Sequence, residues 1–143
     1  MDHVAILRKD WKLLPKILSG EKAIESRWYQ TKRAPFNKIK EGDFVYFKNS
    51  GEMVTAKAKV KKVLQYEIKG VSDLEFLVNK YGDKICLVDR DVSTWNSKIK
   101  YCILIFLKEV EKLKKPFNIN KKGYGLNSAW LVVGNINQII VKL

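Results

Sequence analysis

The chain has 143 residues, 28 Lys and Arg against 15 Asp and Glu, and a formal net charge of +13 at neutral pH. That length suits a single domain over residues 1–143, and 46% hydrophobic with 11% aromatic residues supplies a core and excludes intrinsic disorder. One histidine and two cysteines are too few for a structural zinc centre, no apolar run approaches the ~20 residues of a membrane span, and the first residues lack the apolar stretch of a signal peptide, so no metal, cofactor or membrane partner and a cytoplasmic location are expected.

In chain order, residues 3–8 alternate as a short strand, with Val4, Ile6 and Arg8 on one face and Ala5 and Leu7 on the other. Asp10 is placed to cap a helix that carries Trp11, Leu14, Ile17 and Leu18 at helical spacing. Pro15 confines its regular part to about residues 13–19, and Gly20 supplies a left-handed stop. Residues 24–29 form a strand, 31–40 a basic loop around Pro35, and Gly42-Asp43 a turn into an aromatic strand at 44–47. From 54 to 63 the pattern alternates, Ala56, Ala58 and Val60 opposing Lys57, Lys59 and Lys61. Ser72 is a suitable cap for a helix with Leu74, Leu77, Val78 and Tyr81, ended by Gly82. Residues 89–97, with Trp95, read as a short helix or loop. Three β-type runs follow at 100–110, 131–133 and 136–143, with a turn at 121–125 between the first two. Strands and helices do not alternate regularly, so a doubly wound parallel sheet is excluded in favour of a small mixed or antiparallel barrel with helices at its ends.

Residues 20–27 read Gly-Glu-Lys-Ala-Ile-Glu-Ser-Arg, matching Gly-x-Lys-x-x-Glu-x-Arg, and join the first helix to a strand. Trp28-Tyr29, the basic loop and Gly42-Asp43 come next. On these residues the chain resembles the ASCH domains of the PUA-like superfamily, in which the same motif follows the first helix and a Gly-Asp turn opens the next strand. The resemblance extends through the late strand to Pro116-Phe117 and Ala129-Trp130. It implies an α+β fold, a PUA-like mixed or antiparallel β-barrel with two or three short helices. It also implies a cleft, partly lined by the motif, that accepts RNA or a nucleotide. Some ASCH domains act as small amidohydrolases on acylated cytidine or have been described as ribonucleases. In the amidohydrolase type, the motif lysine works with a threonine three residues later and a downstream glutamate. The lysine corresponds to Lys22, but residue 25 is glutamate, so that mechanism lacks its nucleophile here; Glu67 and Glu75 are candidates for the downstream acid.

The same residues can be read without the resemblance. Glu25, Arg27 and Tyr29 share one face of their strand, and Lys22 meets them only from the turn before it. Lys, Glu and Arg at a barrel mouth can hold a phosphate and a base edge, since Arg forks around oxyanions and Glu accepts an amino proton. They can equally form an ion pair that joins helix to barrel. Lys57, Lys59 and Lys61, spaced near the repeat of successive phosphates, are either a polyanion-binding stripe or a solvated face. Trp28 and Trp95 are candidate stacking platforms, whereas Trp11 and Trp130 read as core. The expected function is an RNA- or nucleotide-binding module using Lys22, Glu25, Arg27, Trp28, Tyr29, Lys57, Lys59, Lys61 and Trp95. The alternative is a small hydrolase of RNA or acylated cytidine with Lys22 and Glu25 as its acid–base pair.

Overall fold

A computed structural model of the chain describes residues 1–87, 98–125 and 127–141. Six strands, β1 (Asp2–Leu7), β2 (Ile24–Tyr29), β3 (Phe44–Asn49), β4 (Val54–Glu67), β5 (Tyr101–Phe117) and β6 (Trp130–Gly134), form one mixed sheet in the order β2-β5-β4-β3-β1-β6. Only β1 and β3 run parallel; every other neighbouring pair is antiparallel. Among the described residues the α-helices are α1 (Leu13–Ser19) and α2 (Val71–Ile85).

The sheet is curled into an open barrel, helped by bulges in its strand pairs, and both its faces are buried. Ala5, Val45, Phe47, Ala58, Ile103 and Ile105 fill the concave side, closed by Leu14 and Ile17 of α1. On the convex side, α2 packs Leu74, Leu77 and Ile85 onto Ile24, Cys102 and Leu104. The C-terminal residues Ile136 and Ile139 cover Val4, Tyr46 and Leu131. Burial on both faces is why residues 102–107 are a continuous apolar run rather than an alternating one. The open seam lies between the edge strands β2 and β6, and Arg27 bridges it, donating to the carbonyls of Ala129 (3.2 Å) and Ile6 (3.4 Å).

Several local expectations are corrected. Asp10 does not cap α1: it lies in a 3-10 turn (Lys9–Trp11) beside Arg8, and left-handed Lys12 (φ 55°) precedes the helix. Gly20, at φ 85°, does end it. Ser72 makes no side-chain cap on α2; instead Asp73 accepts from the Lys69 backbone N–H at 2.8 Å. α2 also runs through Gly82 to Ile85. A mid-helix glycine costs only about 1 kcal/mol, less than burying Ile85 returns. Residues 136–138 form a 3-10 turn, not the start of a strand, because Ile136 and Ile139 are three apart and so pack on one side of a turn. The strand at 100–110 is longer than its apolar run, reaching Phe117 as the partner of β4.

Candidate functional site

Local chain geometry determines where the motif lies. After Gly20 reverses the chain, the Lys22 N–H returns to the Lys16 carbonyl at 2.9 Å, so Lys22 sits in the connection and regular strand begins at Ile24. The Lys22 side chain is only 2% exposed. Its ammonium donates to the Ile85 carbonyl at 2.5 Å, where the C-terminal end of α2 presents unsatisfied carbonyls and the negative end of the helix dipole. Glu25 and Arg27 occupy the β2 face opposite Ile105 and Ile103 of β5. Glu25 Oε1 accepts from the Ser26 N–H at 3.1 Å and lies 3.6 Å from Arg27 Nε, an ion pair too long to be a hydrogen bond. Glu25 Oε2 and Arg27 Nε are both buried and have no hydrogen-bond partner among the described residues.

These groups line a cleft of about 350 Å³ at the seam. Lys22, Glu25, Arg27, Trp28 and Tyr29 all contribute to its wall, together with Trp11, Ile85 and Leu87. Trp28 is held by an Nε1–H bond to Ser26 Oγ at 2.9 Å. Burial raises the Tyr29 hydroxyl above its ordinary range, and the phenol donates to the Ala34 carbonyl at 3.1 Å. Cys86 lines the cleft from its left-handed position at the end of α2. Burial pushes its thiol up, against the pull of Lys22, so it is a poor nucleophile at neutral pH. Cys102, by contrast, is buried in the core. Neither Glu67 nor Glu75 lines the cleft, and both are exposed.

The three β4 lysines lie elsewhere. Lys57 and Lys59 are half-buried over the Phe44 ring, at 4.5 and 5.8 Å, and Lys57 pairs in register with Glu111. A bulge between Val60 and Lys62 takes Lys61 out of the simple alternation. None of the three lines the cleft. Trp95 lies outside the described residues. Among the described residues no group of His, Cys, Asp and Glu side chains could hold a metal ion, and no helix is long and apolar enough to cross a membrane.

Behind the cleft lies a polar clasp that sequence reasoning did not detect. His3 is fully buried, and Trp130 Nε1–H donates to its Nδ1 at 3.1 Å. Indole nitrogen is only a donor, so Nδ1 carries no proton and Nε2–H faces Asp43 Oδ2 at 2.9 Å. Burial lowers the His3 pKa, outweighing the opposing pull of Asp43. Burial alone would raise Asp43, but hydrogen bonds from His3 and the Lys40 N–H hold it below its usual value. The Trp130 ring in turn lies 5.1 Å under the Arg27 guanidinium. The Gly-Asp turn was the only sequence signal for this clasp.

No family model and no curated protein matches the chain by sequence. By structure, it is similar to the crystal structure of ASCH from Zymomonas mobilis, with a TM-score of 0.68 at 15% identity over 92% of this chain and 87% of that one. A tyrosine-to-phenylalanine mutant of the same Zymomonas mobilis protein matches with a TM-score of 0.68 at 15% identity, over 92% and 89% of the two chains. The curled six-stranded mixed sheet, its two helices and these similarities together give the chain the ASCH fold.

Proposed function

We propose that the cleft binds a nucleotide or an unpaired base of an RNA strand. The observation that carries this reading is Glu25 Oε2, a carboxylate oxygen on a residue only 3% exposed, with no hydrogen bond from the described residues. A buried carboxylate oxygen is costly unless something donates to it, and the amino edge of a nucleobase is such a donor. Lys22 and Arg27 make the surroundings positive, which suits a phosphate, and the Trp28 and Tyr29 rings suit a base. The net charge of +13 supports a polyanionic partner. A threonine nucleophile is absent at residue 25 and the Cys86 thiol is held protonated, which favours binding over hydrolysis.

Calorimetric titration with CMP and with short single-stranded RNA tests the reading. Wild type is expected to bind RNA with micromolar or weaker affinity, and Glu25→Gln to lose about tenfold or more, the worth of one hydrogen bond to a charged group. Equal affinity in the two proteins would remove Glu25 from the site, and no binding by wild type would remove the reading. Incubation with N4-acylated cytidine provides the enzymatic arm. Turnover by wild type that Lys22→Ala and Glu25→Gln both lose would replace the binding module with a hydrolase.

A further inference from the structure

The segment at residues 31–40 carries four cations, Lys32, Arg33, Lys38 and Lys40, and no acid. It is ordered by packing. Ile39 is buried in the barrel core, with Ala34 and Phe36 packed against it. Backbone bonds run from Phe36 N to Arg33 O (2.9 Å) and from Lys38 N to Pro35 O (2.8 Å). Asn37 is doubly bonded to the Gln65 side chain of β4, its N–H donating at 2.6 Å and its Oδ1 accepting at 2.9 Å.

This pinned loop adjoins the cleft through one ring. Tyr29, which lines the cleft, carries the Arg33 guanidinium on its face at 5.1 Å. One step further, the edge-to-face pair Phe36–Tyr101 carries the Lys32 ammonium, 5.9 and 5.7 Å from the two centroids. Tyr101 is itself the register partner of Tyr29 across β2 and β5. The two cations are thus held by aromatic rings while their side chains remain exposed. The β4 lysines also lie over aromatic rings, but Lys57 has Glu111 directly across the strand pair and neither Lys57 nor Lys59 adjoins the cleft.

We infer that an RNA strand whose base occupies the cleft runs its phosphates over Arg33 and Lys32, so that the 31–40 loop is the backbone-binding shelf of the protein. The inference rests on the nucleotide reading of the cleft. Its physical advantage is preorganisation: a loop already ordered by the core and by Gln65 loses little conformational freedom when it meets phosphates. Cations with no carboxylate in ion-pair reach among the described residues release counterions on binding, which makes affinity salt-dependent.

The test compares cytidine, which has no phosphate and reads the cleft alone, with hexacytidylate, between about 50 and about 300 mM salt. The double variant Lys32→Gln/Arg33→Gln is expected to lower the hexacytidylate-to-cytidine affinity ratio and to flatten the salt slope by about 1.4, roughly 0.7 for each lost phosphate contact on a single strand. Lys32→Gln alone is expected to give half that change. Lys57→Gln/Lys59→Gln is expected to leave the slope as in wild type. An unchanged slope in the shelf variant, or a flattened one only in the β4 variant, overturns the shelf. If wild type binds hexacytidylate with a slope that the shelf variant flattens but shows no affinity for cytidine, the cleft reading fails and takes the placement of the base with it, leaving only phosphate contact at Arg33 and Lys32.

Discussion

Lys22 and Lys59 belong to one sheet-and-helix framework and carry the same charge, yet their surroundings are opposites. Lys22 is buried at a helix C-terminus and lines the same cleft as Glu25, whose Oε2 the described residues leave unpartnered. Lys59 lies over an aromatic ring on the sheet's convex side, its stem covering apolar surface while its head reaches water. A count of positive charge weights the β4 stripe more heavily, with three lysines at alternate positions. Burial reverses the order. A charged group taken out of water must be answered by a neighbour or a ligand, whereas a solvated lysine needs neither.

The sharpest way to break this contrast is to remove one cation from each region. Arg27→Met deletes two carbonyl bonds across the seam and leaves Glu25 buried without its ion-pair partner. A loss of about 3 kcal/mol is expected by urea denaturation. A loss below about 1 kcal/mol would put the Glu25–Arg27 pair in the same class as a surface pair.

The clasp behind the cleft gives the next largest effect. His3 is neutral in the fold with a lowered pKa, so below about pH 6.5 the unfolded chain takes up a proton that the folded chain refuses. The contribution of His3 is therefore complete above about pH 6.5 and is lost as pH falls towards its lowered folded value. Asp43, also lowered, adds a second loss below about pH 4. His3→Leu is expected to cost about 2 kcal/mol at neutral pH, by unpairing Trp130 and Asp43, and to abolish the fall in stability that begins below about pH 6.5. A slope that survives in the variant would assign the titration to another group.

Lys59→Met is expected to shift stability by no more than about 1 kcal/mol, the worth of an exposed cation–π contact, with little dependence on salt. A larger loss would mean that the convex-side lysines are structural.

Much of the fold was legible because its signals are local. The alternation at 54–60, the left-handed stop at Gly20 and the strand at 24–29 depend on side-chain period and on glycine's access to positive φ, which no distant contact overrides. Parity along β2 likewise put Glu25, Arg27 and Tyr29 on one face before any packing was known. Other features depended on partners far along the chain. α2 passes Gly82 because Ile85 finds a site against β2 and β5, and that extension brings a carbonyl to Lys22 across 63 residues. His3 is buried because Trp130 and Asp43 meet it from 127 and 40 residues away. The sequence by itself determined the strands from β1 to β4, the first helix and the residue types at the motif. The tertiary structure alone decided which lysines are desolvated and which acceptor lacks a donor, because burial and hydrogen-bond satisfaction belong to neighbours in space, not in sequence.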